Sequence, residues 1–476
     1  MKRFPGSCRS QAAACLTVWL AATVICLCCT RSMAASALDD LRPLVVTKTW
    51  TENTADEKGD PQPRTVTAEI WTAAFQRRID ETKRLEIPAR DEPYYVDGPI
   101  VLPSGATLVA DPVAEIRLVP GANTCIVRNA NLVGFASGPV SADTHPDTDI
   151  AIDGGIWSTT LATTPAAPQG NLRGGSGQKP PVLGTHGVIL LQNVRRVSVK
   201  NVTIRQSRPY GVHLANAHEF SVENVTLDRH RRDGVHVNGP ASNGLIRGVR
   251  GDSHDDNVAL NAWDWKHSTP SYGPIERVVV EDVTGSPEGL PAANSIRLLP
   301  GVKRFDDGMQ LDCPVRDITL RRITDIREYK CYDQPNLEIG RDNDASVGVG
   351  RLERIRFEQL VFHRPGTIEV HADTDGLVID GVTLAFDPPP AWHLLAIGPK
   401  SATYKHNPTD TTKWTEIFSP DLDCTVRNVR VSGVRLAGST EELPLERLVT
   451  EIEQRPNADY PRTTPGGGTG RGIWVR

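Results

Sequence analysis

Three aspartates lie directly before two short apolar runs in the middle of the chain. Asp233 precedes the run GVHV, and Asp255 and Asp256 precede the run NVAL, with Asp256 placed 23 positions after Asp233. Carboxyl groups held close together repel one another when ionised, so at least one of them should have a raised pKa. Carboxyl groups with separated pKa values suit glycosidic cleavage, in which one protonates the leaving oxygen and another drives water at the anomeric carbon. Aspartate is also a common turn residue, so any single one of the three could simply shape a turn.

Polar and aromatic residues recur at fixed distances from these aspartates. His213 and His236 each stand two positions after a glycine, Arg297 holds an equivalent place after an insertion, and Asn261 and Trp263 follow the second apolar run. The predicted catalytic set is Asp233, Asp255 and Asp256. The predicted substrate-binding set is His213, His236, Asn261, Trp263, Arg297 and Arg341. No metal ion and no cofactor are expected.

An internal repeat of 23 to 24 residues positions these groups. The anchor residues Gly187, Gly211, Gly234 and Asn257 are spaced 24, 23 and 23 residues apart. Segments such as VSVKNVTI, SVENVTL, VVVEDVTG and LVIDGVTL alternate in polarity, which is typical of strands with one buried face. Helical periodicity is absent between them, so βαβ units are excluded. The pattern predicts an all-β, single-stranded right-handed parallel β-helix of about ten coils.

Equivalent positions of successive coils lie above one another in such a solenoid, at a spacing of about 4.8 Å. The residues before the anchors are His186, Tyr210, Asp233, Asp256 and, after the insertion, Asn294. The residues two positions after the anchors are Ile189, His213, His236, Ala259 and Arg297. On this alignment one face gathers three carboxylates, two imidazoles and a guanidinium. We expect a groove there, flanked by the Pro- and Gly-rich segment 159–183 and by the insertion 262–274.

The two ends of the chain differ from the repeats. Basic residues, an apolar run and the small residues SMAASA predict a signal peptide over 1–37, with an uncleaved membrane anchor as the alternative. The helical spacing of TAEIWTAAFQRRIDET predicts a short N-terminal capping helix at 67–82. The β-helix domain is expected over 38–440, and a C-terminal helix and flexible tail over 441–476. A secreted or periplasmic protein is therefore expected.

Composition narrows the classes of partner. The formal net charge is −5, with acidic and basic residues interspersed, which disfavours nucleic acid or an anionic membrane as a ligand. Five of the nine cysteines lie in the leader, and the remaining four are too scattered for a disulfide scaffold or a zinc site. Cys313 and Cys331 could pair or could stay buried as free thiols. We expect a monomer that acts on a polysaccharide or oligosaccharide.

The segments RRDGVHV and SHDDNVAL resemble two strand openings of glycoside hydrolase family 28, the polygalacturonases and rhamnogalacturonases. That family carries Asn-Thr-Asp-Gly and, about twenty residues later, Gly-Asp-Asp. The N-terminal IPARDEPYYVDGPIVLPSGATL is similar to the opening of the wider pectate-lyase-like superfamily. The resemblance implies a polysaccharide-degrading glycoside hydrolase that inverts the anomeric centre, with Asp255 as the general acid and Asp233 and Asp256 activating water.

Two features depart from that family. Its next strand opening is Gly-His-Gly, where this chain has Ala293-Asn294-Ser295. Its Arg-Ile-Lys strand, which binds a uronate carboxylate, is matched here to NLEIGRD, with Glu338 near the place of the arginine. Arg297 or Arg341 could substitute. The departures favour a neutral or differently charged glycan over polygalacturonate.

Two other functions stay open. A polysaccharide lyase or epimerase on the same fold would use calcium or another neutralising cation, with a base drawn from His213, His236, Arg297 or Tyr272. A non-catalytic carbohydrate-binding solenoid is the second alternative, because a fold does not fix a function.

Overall fold

The computed structural model describes twelve segments of the chain: residues 36–55, 61–122, 124–132, 145–159, 187–264, 269–286, 294–305, 307–332, 348–398, 405–407, 410–415 and 424–451. Most of this part of the chain is β-strand, and 24 strands belong to one continuous sheet in which most neighbours run parallel. The predicted signal peptide up to residue 35, the loop 160–186, Trp265, Glu338, Arg341 and the tail from 452 lie outside the described residues.

The elements of the N-terminal half begin with a 3-10 helix (Ser36–Leu44). They continue with β1 (Val46–Ala55), β2 (Pro61–Ile70), α1 (Thr72–Thr82), β3 (Arg84–Ile87), β4 (Tyr94–Val96), β5 (Ile100–Leu102), β6 (Thr107–Leu118), β7 (Val127–Asn129), β8 (Asp147–Ser158), β9 (Gly187–Lys200), β10 (Thr203–Arg205), β11 (Tyr210–His230) and β12 (Val235–Ser253).

The elements of the C-terminal half start at the second acidic pair. They are β13 (Asp256–Asn261), β14 (Ile275–Glu281), β15 (Thr284–Gly285), β16 (Ser295–Leu299), β17 (Gly301–Arg304), β18 (Gln310–Cys313), β19 (Val315–Thr324), β20 (Glu328–Tyr332), β21 (Arg351–Phe362), β22 (Thr367–His371), β23 (Asp373–Leu384), β24 (Leu395–Ile397), β25 (Lys405–Asn407), β26 (Asp410–Thr415), β27 (Val426–Leu436), a 3-10 helix (Leu445–Arg447) and β28 (Val449–Glu451).

The strands stack in parallel columns, one strand per coil, so the chain folds as a right-handed parallel β-helix, as the repeat predicted. One column contains β5, β7, β9, β11, β12, β13, β16, β20, β22, β24 and β28, which makes eleven tiers within the described residues. We call the outward side of this column the site face. The side chains that point inward from it, among them Val235 and Val258, are fully buried.

A second column supplies much of the continuous core. Its inward residues are in register from coil to coil: Leu85, Leu108, Ile152, Val199, Val222, Ile246, Val280, Leu320, Phe357, Ile379 and Val431. Burying one such side chain is worth about 1.5 to 3 kcal/mol. The repeated burial fixes the register, because a slip of one residue would turn the whole apolar column outward.

Asparagines in the left-handed region form some of the corners between columns. Asn201 and Asn224 have φ of 56° and 57°. The amide of Asn224 donates to Asn201 at 3.0 Å, and the amide of Asn201 donates to Asp153 at 2.7 Å. Asparagine tolerates this backbone conformation better than most residues. The two NVT sequences therefore belong to a turn ladder that links three coils.

Both ends differ in detail from the prediction. The capping helix α1 begins at Thr72 rather than 67, because residues 61–70 form β2, which pairs antiparallel with β1. Near the C-terminus a three-residue 3-10 helix replaces the expected helix. β28 pairs with β24, so the solenoid continues past residue 440 to at least Glu451.

Two further features concern the whole described chain. The four cysteines it contains, Cys125, Cys313, Cys331 and Cys424, are free thiols, so Cys313 and Cys331 do not pair. No helix among the described residues is long and apolar enough to cross a membrane.

Candidate active site

The three predicted catalytic aspartates meet at the strand openings of the site face. Asp233 lies between β11 and β12, and Asp256 is the first residue of β13. The backbone ladder continues through these openings, since Gly234 N donates to the carbonyl of Asp256 at 2.9 Å. One carboxylate oxygen from each of Asp233, Asp255 and Asp256 lies within 4.8 Å of the other two. Stacking of adjacent coils therefore produces the cluster that the spacing predicted.

Asp256 is the most tightly held of the three. Its Oδ1 accepts from Ser295 Oγ at 2.5 Å and from Lys330 Nζ at 3.0 Å, and its Oδ2 accepts from Arg297 Nε at 2.9 Å. Burial by itself would raise the pKa of this carboxyl, but Lys330 and Arg297 outweigh it and hold the pKa well below its usual range. Asp256 is therefore a fixed carboxylate.

Asp255 lies in the opposite environment. Its side chain keeps 31% of its exposure, and its nearest cation is Arg232, whose Nη1 lies 3.5 Å from Oδ2. Burial of the carboxyl group and the negative charges of Asp233 and Asp256 raise its pKa to about 7, against the weaker opposing effect of Arg232. Asp255 can therefore carry a proton near neutral pH.

Asp233 is fixed through a histidine beneath the site. Its Oδ2 is bonded to His236 Nδ1 at 2.6 Å, and His236 Nε2 lies 3.1 Å from Asp264 Oδ2. The imidazole also stacks on Tyr210, with ring centroids 3.9 Å apart. Burial lowers the pKa of His236, but the two carboxylates outweigh it and raise that pKa to about 9. His236 is thus an imidazolium between two carboxylates.

Several predicted substrate-binding residues do not reach the groove. His213, His236 and Asn261 are buried and bond to residues of the site itself. Trp263 is fully buried within the hydrophobic core, so the prediction that it lines the groove is wrong. Tyr272, a candidate base for the lyase or epimerase alternative, packs in the same core. The sequence of the insertion 262–274 could not show that these residues fold inward rather than over the site face.

Arg297 is buried as well, and it holds a residue of the site itself. Its Nε holds Asp256, while its Nη1 has no hydrogen-bond partner among the described residues. The guanidinium lies 6.0 Å from the ring centroid of Tyr332.

The register corrects two positions of the predicted alignment. His213 pairs with Leu190 and not with Ile189, which points into the core. Asp256 pairs with Ser295 and not with Asn294, because an irregularity between Asp256 and Val258 shifts the register by one residue. Ser295 is therefore the residue that reaches the carboxylate.

Sequence reasoning also missed Lys330. After β16, the next strand of the site face is β20, which pairs Arg297 with Lys330. The segment NLEIGRD, which was expected there, lies outside the described residues. The signal was present in the repeat, because EYKCY follows the strand ITLRRIT and a short turn, as DGVHV follows SVENVTL.

Charges within the site are balanced by side chains. Four acidic groups meet four basic groups: Asp233, Asp255, Asp256 and Asp264 face Arg232, His236, Arg297 and Lys330. The three clustered oxygens are close enough together to approach a cation. However, both oxygens of Asp256 are already bonded to cationic side chains, so the donor set does not fit a divalent-ion site.

Several solved structures have folds similar to this one. The family 28 exopolygalacturonase of Yersinia enterocolitica matches with a TM-score of 0.44 and 12% identity, covering 85% of this chain and 83% of that one. The polygalacturonase of Erwinia carotovora matches with a TM-score of 0.43 and 13% identity, covering 80% and 94%. The A-module of a mannuronan C-5 epimerase from Azotobacter vinelandii matches with a TM-score of 0.36 and 11% identity, covering 80% and 96%.

No family model matches the chain, and the search of curated proteins found no match to its sequence. Identities of 11 to 13% transfer neither an activity nor a residue role to this protein. The site's chemistry therefore rests on its own geometry.

Proposed function

We propose that this protein is a carbohydrate-active enzyme, an exported glycoside hydrolase that cleaves polysaccharide chains on its site face. The observation that supports this is the separation of the pKa values of two clustered carboxyls. The pKa of Asp255 is raised to about 7, whereas Lys330 and Arg297 hold the pKa of Asp256 well below its usual range. One site thus offers a proton donor and a carboxylate at the same pH.

The roles follow from these environments. Asp255 gives its proton to the leaving glycosidic oxygen as the bond to the anomeric carbon breaks. Asp233 and Asp256, whose oxygens lie within 4.8 Å, hold one water that attacks the same carbon and passes its proton to a carboxylate. The reaction leaves the proton count of the site unchanged, and exchange with solvent then returns a proton to Asp255 and removes one from the base carboxylate.

The carboxylate spacing is short for an inverting hydrolase, in which the two groups commonly lie about 6.5 to 9.5 Å apart. A retaining reaction would instead need a carboxylate that attacks carbon. Asp256 is a poor nucleophile because both its oxygens accept charge-assisted hydrogen bonds, and Asp233 Oδ2 is bonded to His236. We therefore keep inversion as the proposal, and the anomeric configuration of the first product, followed by NMR, tests it.

The charge of the face favours a neutral glycan. Lys330 lies between Glu328, two residues earlier on β20, and Glu369, its partner on β22. Both glutamates keep about a third of their side-chain exposure, at 30% and 29%. Arg232, Arg297 and Lys330 are each engaged with an aspartate of the site. A uronate carboxylate bound beside Lys330 would be repelled by these glutamates, whereas a neutral glycan would not.

The test is a panel of neutral and uronate polysaccharides with reducing-sugar detection. Asp255→Asn and Asp256→Asn should each lose about 10²- to 10⁴-fold in turnover. Asp317→Asn, which removes an exposed acid paired with Arg354, is the matched control and should keep full activity. Binding without turnover would leave a carbohydrate-binding solenoid, while an unsaturated product and inhibition by a chelator would indicate a lyase. Sequencing the N-terminus of the mature protein tests export.

A further inference from the structure

A line of buried polar side chains runs from the site inward to the segment after β13. Asp264 lies in that segment and is almost fully buried. Its Oδ2 accepts from Asn261 at 2.9 Å and from Asn238 at 3.3 Å, and it lies 3.1 Å from His236 Nε2. His236 connects this oxygen to Asp233. Two amide donors and one imidazole nitrogen therefore approach a single carboxylate oxygen beneath the site.

The hydrogen-bond network fixes the orientation of each member. Asn238 uses its amide nitrogen toward Asp264, so its oxygen must accept, and His213 Nε2 donates to that oxygen at 2.6 Å. His213 also meets the ring of His236 edge to face, with centroids 5.0 Å apart. This packing, together with the stacked Tyr210, leaves the imidazole of His236 no room to turn away from Asp233.

The groups that face His236 come from three coils. The preceding coil contributes Tyr210 and His213, the stretch before β12 contributes Arg232, which lies over Tyr210, and Asp264 follows β13. On the next coil, the residue in register with His236 is Ala259, which carries no charge. Two carboxylates therefore dominate the surroundings of this ring.

We propose that Asp264 and His236 are positioning residues, which hold Asp233 as an oriented carboxylate and so direct the catalytic proton to Asp255. This inference rests on the proposed hydrolase function and adds two residues that touch no substrate, because both are buried. The imidazole of His236 holds Asp233 Oδ2 at 2.6 Å and so fixes the orientation of that carboxylate. The shared proton of the cluster then resides on Asp255, whose nearest cation, Arg232 Nη1, lies 3.5 Å away, farther than the cations that contact Asp256. Buried partners of catalytic groups commonly contribute in this way.

The activity test separates positioning from binding. Asp264→Asn keeps the shape but removes the charge, and it should lower kcat by about 10- to 100-fold with KM changed less than about twofold. His236→Asn places an amide nitrogen near the position of Nδ1, so it keeps a donor to Asp233 and should retain more kcat than His236→Ala. Asp147→Asn is the matched control. It removes a buried carboxylate bonded to Ser104 and Asn129 far from the site, and it should affect stability alone.

A second measurement does not depend on turnover. Imidazole ¹⁵N shifts should show His236 still protonated at pH 8 in the wild type and neutral at pH 8 in Asp264→Asn. If His236 is protonated at pH 8 but no glycan is cleaved, the proposed hydrolase function is wrong, whereas the pairing of His236 with Asp233 and Asp264 is confirmed. An active enzyme in which His236 is neutral at pH 7, or an Asp264→Asn variant with wild-type kcat, would overturn the inference.

Discussion

Asp255 and Asp256 are consecutive in the chain, yet only one of them is neutralised at close range. Asp256 is 2% exposed and contacts Lys330 and Arg297 within 3.0 Å, whereas the nearest cation to Asp255 lies 3.5 Å away. Neighbouring residues at a strand opening point in different directions, so Asp256 enters the column of cations on the next coils, whereas Asp255 stays partly exposed. This asymmetry allows one dipeptide to supply both an acid and a base.

The division of roles predicts a selective rescue. Loss of the general acid should matter least for a substrate whose leaving group needs no proton. Asp255→Asn should therefore recover most of its activity on an aryl glycoside with a good leaving group. Asp233→Asn and Asp256→Asn should stay impaired on the same substrate, because the attacking water is no longer held. Steady-state kinetics on matched natural and aryl substrates would check this, and equal losses for all three variants on both would contradict it.

Activity should depend on the protonated form of Asp255. Its pKa is raised to about 7, so kcat/KM should be near its plateau below that pH and fall about tenfold per pH unit above it. Arg232 opposes the rise, so Arg232→Gln should move this alkaline limb to higher pH. The measurement is a pH profile on an unactivated substrate. A limb that persists unchanged in Asp255→Asn would show that another group controls it.

Much of this arrangement could be predicted from the sequence, because it follows from a repeat. A period of 23 residues with apolar alternation determines which residues stack, and it placed Asp233 beside Asp256 correctly. The partners that arrive after insertions were harder to find. Ser295 was missed by one residue because of a local register irregularity, and Lys330 lies 74 positions from Asp256.

The inward fold of Trp263 could not be predicted for a different reason. A tryptophan after a strand on a groove face is compatible with both sugar stacking and core packing, and only the path of the chain decides between them. The same path of the chain brings Asp264 beneath His236. The sequence predicted that His236 binds substrate, whereas in the structure it is buried between two carboxylates.

Stability should fall at alkaline pH through His236. Its pKa is raised from 6.5 to about 9 in the folded protein, so its contribution is complete below pH 6.5 and is lost as the pH rises through about 9. The loss should approach about 1.4 kcal/mol per pH unit midway between the two pKa values, which makes about 2 kcal/mol in total between pH 7 and 9. Urea unfolding at both pH values checks this against His236→Asn, which should lack the decline in that window. A wild-type protein equally stable at pH 7 and 9 would contradict an imidazolium at this position.

The pair between Lys330 and Asp256 should show strong energetic coupling. Both side chains are buried, with Nζ and Oδ1 3.0 Å apart, so Lys330→Met should cost about 3 kcal/mol by leaving part of a buried charge uncompensated. Asp256→Asn also destabilises, since it leaves Lys330 and Arg297 without their carboxylate. The double variant should lose less free energy of unfolding than the sum of the two single losses, by about 1 to 3 kcal/mol.

The control cycle uses Lys48 and Asp97, an exposed pair at 2.6 Å, whose coupling should not exceed about 1 kcal/mol. Urea unfolding of the wild type and the six variants gives both cycles, and additive losses at the buried pair would show that Arg297 and Ser295 alone hold the carboxylate.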